Sequence, residues 1–124
     1  MALSSINPTT TKAWKELEDH FSKIKNKHIK SYFDENNSRA EEMIIKWEDF
    51  YVDFSKHRIN NKTVDLLLGL AKEVKLDEAI LEYFRGEMIN ETEGREVLHT
   101  ALRSPDSAEI FVDGKNVIPE IYEV

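Results

Sequence analysis

The chain has 124 residues, 40% of them hydrophobic and 33% charged, a mixture that fits one modest globular domain or a piece of a larger protein. Its formal net charge of -7 repels phosphate backbones, so no nucleic-acid partner is expected. Cysteine is absent, which excludes disulfide frameworks and cysteine-ligated metal sites.

Residues Met1 to Ile6 contain neither a basic region nor a long apolar run, and no later run is long enough to span a bilayer. The expectation is a soluble, cytoplasmic protein with no membrane partner. Asn7-Pro8 reads as a helix start, with Asn accepting from a free N–H and Pro at the first helical position. Trp14, Leu17, Phe21, Ile24 and His28 then recur every three or four residues, as one face of an amphipathic helix. Ala13 and His20 lie beside that face. Ile29, Tyr32 and Phe33 suggest a short helical turn, Asp34 to Ser38 a polar break, and Ser38 a cap for a second short helix through Met43.

Residues 44–54 are rich in branched and aromatic side chains and read as one or two strands, pivoting at Glu48-Asp49. Asn60 and Asn61 supply caps for a helix near 61–75. Val64, Leu67, Ala71 and Val74 share its inner face, and Leu66, Leu68 and Leu70 widen its apolar surface. Asp77 opens a further helix with Ala79, Ile80, Tyr83 and Phe84 inward, closed by Gly86. Asn90-Glu91-Thr92-Glu93 has the form of a capping box leading into a helix with Val97, Leu98, Ala101 and Leu102, which Ser104-Pro105 ends. Residues 110–118 resemble a hairpin turning on Asp113-Gly114, the pair that tolerates positive φ. Pro119-Glu120 then starts a new helix, and the chain reaches Val124 about one turn later, too short a nucleus to be stable alone. The sequence thus reads as stopping within an element.

Three clusters raise the question of chemistry. His20 and His28 are eight residues apart on the predicted first helix, too far to share one metal ion, and read as core or boundary residues. Glu16 and His20 have ligand spacing but no second His pair. Arg95, His99 and Arg103 recur every four residues: either an anion site, such as one for a sugar phosphate, or a structural row of salt bridges and helix C-terminal contacts, and the structural reading is preferred. The basic run Ser55-Lys56-His57-Arg58 has no glycine-rich cradle around it for phosphate. Spacing alone supports no catalytic, substrate-binding or metal-binding residue.

The stretch Ile89-Asn90-Glu91-Thr92-Glu93-Gly94-Arg95-Glu96-Val97-Leu98-His99-Thr100-Ala101-Leu102-Arg103 resembles the pattern I-N-x-T-E-x-R-A-V-L-H-x-A-L-R of the glucose-6-phosphate isomerases. Three other segments resemble the same family in the same order. They are Ile6-Asn7-Pro8-Thr9 with Ala13-Trp14 and His20-Phe21, the run from Val52 to Ile59, and the run from Val112 to Glu120. Glu96 stands where the family has Ala, and His57 where it has Asn; neither is a position the family uses in catalysis.

The resemblance implies an enzyme that interconverts glucose 6-phosphate and fructose 6-phosphate through a cis-enediol, in glycolysis and gluconeogenesis. A glutamate base, a ring-opening histidine and lysine, an arginine over the enediolate and a Ser/Thr-rich phosphate loop do this chemistry without metal or organic cofactor. In the family those groups come later in the chain, so none is carried over to a residue here. The implied fold is α/β, a sandwich-domain sugar isomerase that acts as a homodimer. Residues 1–124 are expected to be its mostly α, minor β amino-terminal part, cut before the sugar-phosphate-binding domains and inactive alone. The alternative from another class is a free-standing helical scaffold or partner-binding module.

Overall fold

The computed structural model describes residues 5–90 and 92–123, which cluster into two compact units: residues 8–70, and residues 71–123 with 5–7. The fold is mostly helical with two small two-stranded antiparallel sheets, as the sequence indicates.

In the first unit, Pro8–Thr10 form a short 3-10 turn, and helix α1 spans Lys12–Ile24. Its cap is Thr11, not Asn7. The Thr11 hydroxyl accepts from the Trp14 N–H at 3.1 Å and donates to the Pro8 carbonyl at 2.7 Å, which satisfies a first-turn donor and fixes the entry of the chain. The helix ends at Ile24, so His28 does not continue its face. His28 instead caps α2 (Ile29–Glu35), its Nδ1 accepting from the Lys30 N–H at 3.2 Å. Helix α3 is a single turn, Arg39–Glu42. Ser38 stands at its N-cap position without a side-chain cap bond; its own N–H donates to the Asn36 side chain.

Strands β1 (Ile44–Trp47) and β2 (Phe50–Asp53) form the expected hairpin, in register Ile44–Asp53 through Trp47–Phe50. Glu48 takes the left-handed angle that the reversal needs (φ 48°). The Trp47 and Phe50 rings stack with centroids 5.5 Å apart. Helix α4 covers Asn61–Glu73, and the Asn60 side chain accepts from the Thr63 N–H at 3.1 Å. Its inner row is Thr63 and Leu66, not the row through Val64 and Leu67. Leu67 and Leu68 are exposed, Leu68 at 58%. The hydrogen bond between His20 Nε2 and Thr63 Oγ1 (2.8 Å) turns Thr63 toward α1. Six residues along, a Cβ at Gly69 would meet the buried Ala13 Cβ at 3.9 Å, so small residues let the two helices approach.

In the second unit, α5 spans Leu76–Phe84, entered through Lys75 in the left-handed region (φ 56°). Gly86 (φ 71°) closes it as expected: its N–H reaches the Tyr83 carbonyl and the Glu87 N–H reaches the Glu82 carbonyl at 3.1 Å. Ile80 and Phe84 are exposed rather than inward, because no described element of this unit covers their side.

The expected helix over 93–103 is absent. Only one arm of its capping box forms: the Asn90 Oδ1 accepts from the Glu93 N–H at 3.3 Å, while the Glu93 carboxylate accepts from the Asn90 side-chain amide at 3.1 Å and not from its backbone N–H; Glu91 of that box lies outside the described residues. Gly94 (φ 62°) then folds the chain back, so that the Asn90 N–H donates to the Arg95 carbonyl. Only Ala101–Arg103 are helical here, as a 3-10 turn, and Ser104 leaves it extended. Strands β3 (Phe111–Val112) and β4 (Lys115–Asn116) turn on Asp113 and Gly114, both at positive φ. The Asn116 side chain accepts from the Ile110 and Ile118 N–H groups, joining this hairpin to α6 (Ile118–Tyr122). Ile118 and Ala101 form the buried centre, and the Tyr122 hydroxyl donates to the Ser104 carbonyl at 2.7 Å.

Candidate functional site

The sequence's basic run at residues 55–58 proves to be the rim of a buried charge. Arg39 is only 2% exposed. Its Nε donates to the Ser55 carbonyl at 2.7 Å, and its Nη2 donates to the carbonyls of His57 (2.8 Å) and Ile59 (2.9 Å). The guanidinium carbon also lies 4.9 Å from the centre of the Tyr32 ring and 5.5 Å from that of Phe33. Among the described residues no carboxylate pairs with it. Ser55 is buried, and its N–H donates to the Asp53 carboxylate at 2.8 Å. Hydrogen bonds from the Ser55 side chain and then from its backbone hold Asp53 below the ordinary carboxylate pKa. Arg58 donates to the Lys25 carbonyl, while Lys56 and His57 are exposed. The run is therefore a loop held by its backbone, and its side chains do not converge on a phosphate.

The Arg95, His99, Arg103 row depends on a helix that does not form. Arg95 and His99 still line one cavity of about 370 Å3, with Asn90, Glu96, Val97, Leu98 and Leu102. Arg103 is exposed and lies outside it. Arg95 is already paired with Glu93, two residues away, which spends its charge locally. Of the histidines on the first predicted face, His20 is bound to Thr63 and lines an apolar groove with Trp14, Leu17 and Phe21, a structural placement. Glu16 pairs with Lys12 at 3.4 Å. The described residues contain no group of three or more His, Asp or Glu placed to hold a metal ion, and no helix among them is long and apolar enough to cross a membrane.

Arg39 is the residue that sequence reading missed. It sits in a single-turn helix, and its partners are carbonyls 16 to 20 positions away. Neither periodicity nor side-chain chemistry marks such a pairing.

The described residues thus form a mostly helical piece in which polar side chains such as Arg39, Thr11 and Asn116 hold loops and caps. Comparison with known proteins shows its family. A sequence model described as phosphoglucose isomerase matches residues 53–124. A glucose-6-phosphate isomerase of Christiangramia forsetii is 58% identical over 122 residues, 98% of this chain and 22% of that relative. The enzymes of that name from Deinococcus radiodurans and Mycobacterium avium are 46% and 43% identical over 116 residues, 94% of this chain and 21% of each relative. The chain belongs to the phosphoglucose isomerase family. It spans about a fifth of the length of these relatives.

Proposed function

We propose that these residues are the amino-terminal part of a glucose-6-phosphate isomerase, which interconverts glucose 6-phosphate and fructose 6-phosphate through a cis-enediol. The observation that carries this is 58% identity across 98% of the chain to an enzyme of that name. The contribution of this part is structural: it supplies no base, no phosphate loop and no ring-opening group. The base and the phosphate-binding residues belong to the other four fifths of such an enzyme. The reading further implies a cytoplasmic homodimer that works without metal or organic cofactor.

The test compares the 124-residue protein with the product of the reading frame continued past the Val124 codon. Conversion of fructose 6-phosphate is followed in a coupled assay. The continued product is expected to turn over substrate and the 124-residue protein to stay at background. Turnover by the 124 residues alone, resistant to further purification, would overturn the structural role. A genuine stop codon after Val124 would instead favour a free-standing module derived from the enzyme.

A further inference from the structure

We propose that the first unit carries a binding site for a small oxyanion, a phosphate or carboxylate group, between α2, α3 and the start of α4. A cavity of about 230 Å3 there is lined by Tyr32, Glu35, Asn36, Arg39, Met43 and residues 60–62. Two of its wall residues are buried polar groups with unmet demands. Tyr32 is 3% exposed, and its hydroxyl has no hydrogen-bond partner among the described residues. Arg39 donates through Nε and Nη2 to three carbonyls, which among the described residues leaves its Nη1 donors unspent and its charge without a counter-ion. A buried unpartnered hydroxyl and a buried unpaired cation are both costly, and an anion accepting from them relieves both.

The rest of the wall has the same bias. Lys62 forms no ion pair among the described residues, and the Asn61 amide has no side-chain bond there. The acceptors, by contrast, are already engaged. The Asn36 oxygen accepts from the Ser38 N–H, the Asn60 oxygen accepts from the Thr63 N–H, and Glu35 is paired with Lys27. Lys27 also lies over the Tyr32 ring, 4.6 Å from its centre, and the Arg39 guanidinium is 4.9 Å from it. The Asn36 amide is spent too, donating to the Glu42 carboxylate at 2.8 Å, so what the cavity offers a ligand is the Tyr32 hydroxyl, the Arg39 Nη1 donors and Lys62, whose complement is an acceptor-rich anion. The volume suits one phosphate or carboxylate group with a few waters, not a whole nucleotide or an extended chain.

Purified protein is titrated with potassium phosphate and separately with potassium acetate, at ionic strength held constant with chloride. Thermal melting and the Nε–H resonance of Arg39 are followed. A saturable rise in Tm with a matching shift of that resonance is expected, since a ligand bound only by the folded state stabilises it. A larger response to phosphate assigns the site to a phosphoryl group, and a larger response to acetate assigns it to a carboxylate.

Tyr32→Phe is the diagnostic variant. Removing an unpartnered hydroxyl raises the anion-free Tm, while the anion response weakens about tenfold. Lys62→Gln, at an exposed position, leaves the anion-free melt unchanged and weakens the response about threefold, as expected for one partly screened charge. No saturable response to either anion overturns the proposal. So does a Tyr32→Phe variant that keeps the wild-type response, or one that melts lower without anion, because the hydroxyl would then already have its partner.

Discussion

Arg39 gathers the carbonyls of Ser55, His57 and Ile59 onto one guanidinium, so the loop between β2 and α4 depends on a single side chain. Replacing it by methionine keeps the apolar stem and leaves those acceptors without their donors. Each orphaned buried group costs about 1–3 kcal/mol, though relaxation and water entry reduce the sum. Arg39→Met is expected to destabilise by about 3–5 kcal/mol, a large part of a stability that is typically ~5–15 kcal/mol. Urea unfolding measures this as a lower midpoint with unchanged slope, and a loss below about 1 kcal/mol would mean that the loop is held otherwise. Lysine restores charge but not the planar fork, so Arg39→Lys is expected to recover only part of the loss. None of this was legible in the sequence, where Arg39 is one charge in a polar stretch. His20 was legible: its place beside the apolar face of α1 fits a core residue, and it is bonded to Thr63. His28 was misread because helical spacing continues across the end of α1 and the chain break is made by backbone bonds, not by a breaker residue.

At the level of elements, the segments that the sequence announced correctly carry local turn chemistry. Asp113-Gly114 sets the second hairpin, Gly86 closes α5, and aromatic and branched residues mark the first hairpin on either side of Glu48-Asp49. The failure over 93–103 has the same local origin. Asn90 and Glu93 make a capping bond, but Gly94 in the left-handed region turns the chain back before a helix starts. Both glycines lose conformational freedom on substitution, but their surroundings differ. A Cβ at Gly94 meets nothing within 4 Å. One at Gly86 would lie 3.4 Å from the Phe111 carbonyl oxygen and 3.4 Å from Ile110 Cγ2. Gly94→Ala is therefore expected to cost about 1 kcal/mol from the left-handed angle alone. Gly86→Ala adds crowding against backbone and is expected to cost roughly 2–3 kcal/mol in all. Thermal melts of the two variants decide this, and equal losses would show that the closeness of Ile110 and Phe111 to Gly86 does not matter to stability.

For the molecule as a whole, what matters is apolar surface that its own units do not cover. The sequence suggests open faces around Leu66, Leu68 and Leu70 and around Val97, Leu98, Ala101 and Leu102. The structure moves them: Leu66 is buried and Ala101 is 0% exposed, whereas Leu68 and Leu102 face outward. A further uncovered surface is the first hairpin. Trp47 is 64% and Phe50 63% exposed, with Ile45, Tyr51 and Val52 also open. Both of its strands are edge strands among the described residues, each with backbone groups free to pair. A ribbon of this kind is barely stable without a partner layer, and its apolar side chains gain about 25 cal/mol per Å2 when covered. On the proposed reading as a segment of an isomerase, the expected cover is the remaining four fifths of that enzyme. In the 124-residue protein the available cover is a second copy. Reversible self-association with a broad melt is therefore expected, visible in sedimentation velocity as a weight-average coefficient that rises with concentration. The double variant Trp47→Ser, Phe50→Ser removes the stacked pair and shifts the association to at least about tenfold higher concentration, the effect of losing roughly 1.4 kcal/mol of burial in all. A wild-type chain that stays monomeric at every concentration and melts sharply at high temperature would show that the hairpin needs no partner, and would favour the free-standing module over the enzyme segment.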